Sequence, residues 1–403
     1  MKLTLLLDLD DTLLSNDMEQ FQKAYLQRLA DFLSDVVEPQ AMLKQMSYAV
    51  RCMLSKDSPI GTLQDTFDAA FYAPLHLEKE ALQDRIAEFY ATIFPSLRSI
   101  TRPRPAALRL VEQAFQRGYR VVIATNPLFP RTAILQRLDW AGLRPDAYPF
   151  ALITSYETFH FCKPNPAYYC EILAQLGWPE DNVVMVGNSL PDDILPAARL
   201  QFSTYYLNSD QSTVPAPTSG AISGSGTLEQ VLDWLTLVEE QAEKPSFDSR
   251  RVIPSVLKAT PAALDGLCAG LPAQAWKHRP APQEWSLTEI VYHLSDLDNE
   301  VNLPRLQKIL AEDNPFLPGV VSDVWANERD YQARDGKMAL NQFAERRSVL
   351  TTWLQERTPA EWQRPARHAI FGPTTLLETC LFIAQHDRTH LQQAIAILQS
   401  LPA

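Results

Sequence analysis

Long apolar runs are missing from this chain. No stretch approaches the ~20 residues that a helix needs to cross a bilayer. The opening run, Lys2 to Leu7, leads straight into Asp8, Asp10 and Asp11, and a secretory signal would not place acids there. Basic charge is also in short supply. The 36 Lys and Arg against 48 Asp and Glu leave a net charge of -12. A protein that grips nucleic-acid backbones needs a basic face, so neither nucleic acid nor membrane is an expected partner. An anionic substrate stays compatible, because a bound cation can supply local positive charge. Cysteine is sparse: the five residues Cys52, Cys162, Cys170, Cys268 and Cys380 are scattered, with no CxxC pair. This argues against a disulfide framework and for reduced thiols in a cytoplasmic protein. Internal repeats and low-complexity tracts are absent as well.

What is present reads as an α/β region followed by a helical one, within a length that suits two or three domains. Lys2 to Leu7 suits a central parallel strand buried on both faces. Met18 to Val37 and Glu78 to Phe94 carry apolar residues at helical spacing, which predicts a helical insertion over about 16–100. The α/β rhythm resumes near Pro103. Helices are expected over Ala106–Gly118, Arg131–Gly142 and Asn165–Leu176. Strands are expected over Tyr119–Ala124, Ala151–Thr154, Val183–Val186 and Thr204–Leu207. Such alternation predicts a parallel sheet with helices on both faces. Ser209 to Gly226 is rich in Ser, Thr, Gly and Pro and reads as loop. Leu228 to Glu239 reads as a closing helix, and residues 241–251 as a linker.

From 252 to 403 the strand pattern largely disappears and four or more amphipathic helices are expected, as in a helical bundle. Thr260-Pro261 reads as an N-cap with a first-turn proline. Ser286 to Glu289 and Thr375 to Glu378 both fit the capping box.

Four segments fall at the carboxyl ends of expected strands, where open parallel sheets place their ligands. They are Asp8-Leu9-Asp10-Asp11-Thr12, Thr125-Asn126, Lys163-Pro164, and Gly187-Asn188-Ser189-Leu190-Pro191-Asp192-Asp193. A carboxylate can attack phosphorus and form an aspartyl-phosphate. A second acid two residues on can protonate the leaving group and then activate water. Clustered acids suit Mg²⁺, and a hydroxyl with an ammonium can bind phosphoryl oxygens.

This ordered set resembles the haloacid dehalogenase-like (HAD) superfamily over about residues 1–240, with the insertion as its small helical cap. The resemblance implies a Rossmann-like α/β core and a phosphatase acting on a small phosphorylated metabolite. It implies Asp8 as nucleophile, Asp10 as general acid/base, Thr125 and Lys163 as catalytic partners, and Thr12 and Asn126 at the substrate. It places Mg²⁺ at Asp8, Asp10, Asn188, Asp192 and Asp193. In one departure, Asn188 stands where the family usually has an acid, which removes a charge from the metal site. Dehalogenating members generally lack an acid at the position of Asp10, so its presence favours phosphate monoesters. A sugar-phosphate mutase stays open.

Five of the seven histidines fall in the helical region, and three of these lie on expected inward helix faces. His386 and His390 share one face, and His293 lies in a stripe with Ile290, Leu294 and Leu297. Three inward imidazoles suit zinc, nickel or iron. Together with Pro282-Gln283-Glu284-Trp285-Ser286, Tyr292-His293-Leu294 and Phe371-Gly372, they resemble the DinB-like four-helix-bundle family. That resemblance implies a metal triad at His293, His386 and His390. It leaves open a metal-dependent thiol transferase or hydrolase, and a non-enzymatic docking or sensing module. His76, His160, His278 and His368 are expected at the surface or in loops.

Overall fold

A computed structural model describes residues 3–208 and 221–401. Lys2 of the expected first strand, and residues 209–220 of the expected loop, lie outside the described residues. Two compact units are present. One is drawn from Met1–Asp57, Thr62–Tyr168 and Pro179–Ser246, the other from Ser58–Gly61, Tyr169–Trp178 and Phe247–Ala403.

The first unit is built on the strands β1 (Leu3–Leu7), β2 (Leu14–Asn16), β3 (Thr101–Pro103), β4 (Arg120–Ile123), β5 (Leu152–Ile153), β6 (Asn182–Gly187), β7 (Ser203–Leu207) and β8 (Ser223–Gly226). Six of them form one parallel sheet in the order β5-β4-β1-β6-β7-β8. β1 is apolar along its length except for Thr4, and all five of its residues are buried, as a strand covered on both faces requires. It lies between β4 and β6, so the turns that leave β1, β4 and β6 open on the same edge.

One expectation fails here. Ser223–Gly226 is an edge strand, not loop, and pairs with β7 from Thr204↔Ser223 to Leu207↔Gly226. Its Ser and Gly carry no strand propensity. The small side chains suit close approach, since a Cβ at Gly224 would run into Trp234 and Tyr205.

Between β2 and β3, which pair antiparallel as a two-stranded neck, lie the helices Met18–Phe32, Pro39–Leu54, Leu63–Phe71 and Lys79–Glu88 and the turns through Ile100. Their starts are capped: Asp17 accepts from the Gln20 N–H, Glu38 from Gln40 and Ala41, and Thr62–Asp65 forms a full capping box. Their apolar faces join one core with the sheet, through Phe21, Tyr25, Met42, Phe89 and Phe94.

The second unit is mostly helical. Its main helices are Ile253–Cys268, Leu287–Leu297, Gly336–Gln355 and Leu376–Ser400. Three short strands, β9 (Phe316–Leu317), β10 (Pro365–His368) and β11 (Gly372–Thr375), form a small sheet in the order β11-β10-β9 that the sequence pattern did not anticipate. β9 has only two residues, and the alternation in β10, where Ala366 and His368 are buried, is too brief to stand out in the sequence. Ser286 forms the expected capping box with Glu289. At Thr375 the hydroxyl accepts the Glu378 N–H, but it bonds the Glu378 carboxylate instead of leaving it to a backbone N–H.

Pro261 is not a first-turn residue; it sits inside the Ile253–Cys268 helix. A proline there leaves the carbonyl four residues back without its partner. That carbonyl belongs to Leu257, and Arg347 Nη1 donates to it at 2.8 Å. Thr260, expected to cap, instead donates to Asp387 Oδ2 at 2.9 Å.

Arg347 is the centre of this network. It is fully buried and pairs with Asp298, at 2.6 Å through Nε, and with Asp387. Burial opposes its charge, but the two acids outweigh that and hold its pKa above the ordinary arginine range. Arg347→Met would leave two buried carboxylates unpaired. The expected loss is about 3–5 kcal/mol of unfolding free energy, read by denaturant titration of the full chain. A loss under ~1 kcal/mol, the scale of a surface pair, would show that the network does not hold the bundle.

Candidate functional site

Asp8 follows β1 directly, and its backbone N–H continues the sheet by donating to Val186 O at 3.0 Å. The chain then turns sharply. Asp11 takes a left-handed conformation at φ 54°, which aspartate tolerates better than most residues. The turn closes through Asp11 N–H to Leu14 O at 2.8 Å and Asn16 N–H to Asp11 Oδ1 at 2.7 Å. Arg104 Nη1 donates to the carbonyls of Asp11 and Thr12. The backbone of this acid-rich turn is therefore held on several sides.

Lys163 is 2% exposed and stands between two acids. Its ammonium donates to Asp8 Oδ1 at 2.8 Å and Asp193 Oδ1 at 2.6 Å. Ser189 N–H donates to Asp193 Oδ2 at 3.0 Å, and Ser189 Oγ to Asp192 Oδ2 at 2.9 Å. Gly187 is required at the end of β6, because a Cβ there would overlap the Asp193 carboxylate. Burial pushes the Asp193 pKa up to about 6; Lys163 opposes this and the Asp8 charge adds to it.

Asp8, Asp10, Thr125, Asn126, Lys163, Asn188, Asp192 and Asp193 all line one cavity of about 290 Å³. Thr12, expected at the substrate, does not line it. It is fully buried and donates to Asn188 Oδ1 at 3.3 Å. Thr125 is fixed through its carbonyl, which accepts from Thr154 Oγ1 at 2.7 Å and Tyr168 OH at 2.8 Å.

Sequence reasoning missed Arg137. It is 1% exposed, contacts Asp10 Oδ1, and lies over the rings of Phe21 and Phe129. Burial pulls its pKa down to about 10, against the opposing pull of Asp8. A signal existed: Arg137 falls in the stripe Ala133, Ile134, Leu138 and Ala141, so a cation sits on an apolar helix face. Asn16 Nδ2 holds the same Asp10 oxygen at 3.0 Å.

The lining donors are carboxylate, amide and carbonyl oxygens, which suit a hard cation such as Mg²⁺. Asn126 adds an amide oxygen that is buried without a hydrogen-bond partner among the described residues. The carboxylates themselves do not converge as a ligand cluster, because Lys163 separates Asp8 from Asp193. Magnesium commonly uses one or two carboxylates and keeps several waters, so the residues fit it.

In the second unit, His293, His386 and His390 do converge, with ligand atoms all within 4.8 Å of one another. His386 Nε2 lies 3.3 Å from His293 Nε2 and 3.1 Å from His390 Nε2. His390 Nδ1 sits 2.8 Å from Gln393 Oε1. An amide oxygen only accepts, so this bond puts the His390 proton on Nδ1 and leaves Nε2 with its lone pair. Burial, with the neighbouring imidazoles, pushes the pKa of His390 down to about 4 and of His293 to about 2. Neutral rings with inward lone pairs are what a divalent metal needs. Trp285 stacks on His390 at 5.5 Å. Of the histidines expected at the surface or in loops, His160 does lie in a loop but is fully buried, and His368 is buried in β10.

Residues 3–201 match the family model described as haloacid dehalogenase-like hydrolase. Residues 257–394 match that of the DinB superfamily. The chain joins a haloacid dehalogenase-like hydrolase region to a DinB-superfamily region. The first region is similar to a phosphoglycolate phosphatase of Rhodospirillum rubrum, at 30% identity over 156 residues, 38% of this chain. The chain spans 62% of that protein's length. Solved structures similar to it include a HAD phosphatase from Thermococcus onnurineus, at 19% identity and TM-score 0.38, covering 58% of this chain and 98% of that one. Another is YfiT from Bacillus subtilis, described as a probable metal-dependent hydrolase with an unusual four-helix bundle topology, at 19% identity and TM-score 0.35, covering 39% of this chain and 90% of that one. No helix among the described residues is long and apolar enough to cross a membrane.

The raised Asp193 pKa makes a prediction for metal-free protein. A folded pKa above the unfolded one means that the native state holds the proton more tightly, so stability falls as pH rises from about 4 to about 6. Asp193→Asn removes that penalty. In EDTA the variant should gain stability over the wild type as pH rises through this window, by at most about 3 kcal/mol at pH 7. Calorimetry of both proteins at several pH values measures the difference; a difference that does not change with pH counts against it.

Proposed function

We propose that the haloacid dehalogenase-like region is a magnesium-dependent phosphatase, acting in the cytoplasm on a small phosphorylated metabolite. The observation that carries this reading is the position of Asp8. It stands at the mouth of the central strand, with Lys163 on one carboxylate oxygen and seven other candidate residues around one cavity. Asp8 attacks phosphorus, forming the Asp8 O–P bond as the ester P–O bond breaks. Asp10 gives its proton to the departing alkoxide and then takes one from the water that attacks the aspartyl-phosphate. Phosphate leaves and both acids return to their starting states. Lys163 and Thr125 bind the phosphoryl oxygens, and Lys163 also keeps Asp8 aimed. Asp8, the Asp10 main chain and the Asn188–Asp193 segment would hold magnesium, which would supply positive charge for the phosphoryl oxygens beside an anionic nucleophile. Asn188 offers this site an oxygen but no charge.

A second reading rests on a separate observation, the convergence of three Nε2 atoms in the DinB-superfamily region. These histidines would hold a divalent transition metal, zinc, nickel or iron. The region then serves as a metal-dependent thiol transferase or hydrolase, or as a docking or sensing module.

Asp8→Asn should lower kcat for p-nitrophenyl phosphate in Mg²⁺ by at least ~10³-fold, the scale seen when a catalytic unit loses a member. Undiminished hydrolysis would show that Asp8 is not the nucleophile. For the second site, metal analysis of the full chain should find one transition metal per chain, lost in His386→Ala. Gln393→Leu should weaken metal affinity by about 10–100-fold, the usual cost of losing the outer hydrogen bond of a ligating histidine. Competition with a chromophoric chelator reads this, and equal affinity would mean that Gln393 does not orient His390.

A further inference from the structure

Beside the acid-lined cavity lies a second one, also about 290 Å³, between the helices of the insertion and the Leu128–Pro130 loop. Gln22, Leu128 and Phe129 line both cavities. A molecule with its phosphate at Asp8 therefore has this space as an adjoining place for the rest of its body.

The chemistry of the second cavity is one-sided. None of its lining residues carries a charge. Leu29, Met46, Val50, Phe67 and Phe71 give it aliphatic and aromatic walls. Two of its phenols satisfy one another, Tyr25 OH and Tyr90 OH lying 2.9 Å apart, and burial holds both above the ordinary tyrosine pKa. A carboxylate or polyol entering here would give up water and meet few partners, which is costly. An apolar body would lose nothing and bury its surface.

We infer that the substrate of the Asp8 site is a phosphate monoester of a largely apolar alcohol, whose hydrocarbon portion fills this cavity. The assignment rests on the phosphatase reading and sharpens it. It sets this chain apart from the similar Rhodospirillum rubrum protein, which is named for phosphoglycolate, an ester carrying a carboxylate.

The test uses the full chain with Mg²⁺ and primary alkyl phosphates, whose leaving groups are of nearly equal basicity. Ethyl, butyl and hexyl phosphate are compared with glycerol 3-phosphate and phosphoglycolate. Complete transfer of each methylene into the cavity is worth about fourfold, so kcat/KM should rise at least tenfold from ethyl to hexyl phosphate and exceed both polar esters. Val50→Asp places a charge in the wall and should cut the hexyl-to-ethyl ratio at least tenfold. A ratio is unaffected by a fraction of misfolded protein. Ser47→Asp, at the exposed rim of the same cavity, should lower the ratio in the same direction. A flat or falling alkyl series, or a ratio unmoved in both variants, overturns the apolar assignment while leaving the phosphatase standing. No turnover of any ester overturns the phosphatase reading, and this assignment with it.

Discussion

Charge of one sign concentrated at one strand edge is the constraint around which the first unit is arranged. β1 and β6 are neighbours, and each ends in acids, so Asp8, Asp10, Asp192 and Asp193 arrive at one mouth. Left alone they would repel and resist burial. Lys163 comes from a different loop and donates to Asp8 and Asp193 together. Arg137 comes from a helix and meets Asp10. Each cation reaches the site along a separate crossover of the parallel sheet. The acids can then lie close together and partly dehydrated, the setting that the proposed nucleophile and a hard cation would both need.

The second unit answers a similar problem with the opposite outcome. Arg347 sits between Asp298 and Asp387 in the core of the bundle, and the same side chain repairs the carbonyl that Pro261 leaves open. Here one guanidinium is shared by two carboxylates, and all three groups are buried in the bundle. Asp387 immediately follows His386 on one helix, yet it bonds Arg347 and Thr260 while His386 meets His293 and His390. One helix thus anchors the bundle through one residue and contributes two members of the histidine triad through His386 and His390.

The two sites differ in the metals they suit. The first offers oxygen donors around a lysine, a setting for a hydrated hard cation. The second offers three neutral imidazoles, one of them oriented by Gln393, a setting for a transition metal. A single chain therefore carries two unlike donor sets, and the cavity beside the first of them has uncharged, largely apolar walls.

The residues themselves determined much of this. Buried apolar runs ending in Asp8 and Asn188, the Thr125-Asn126 and Lys163 segments, and the spacing of His386 and His390 are local patterns with local physical causes, and they were legible as strands, strand ends and a helix face. What the pattern could not contain was set by tertiary structure. Ser223–Gly226 is a strand because an edge of β7 was available to pair with it, not from any propensity of its own. Pro261 continues a helix because Arg347, far along the chain, takes the place of the missing N–H. Thr12 turned inward to Asn188, and Arg137 came to Asp10, through packing between distant segments. Short-range periodicity reports which face of an element is apolar. Only the folded chain decides which distant group that face, or a stranded polar atom on it, will meet.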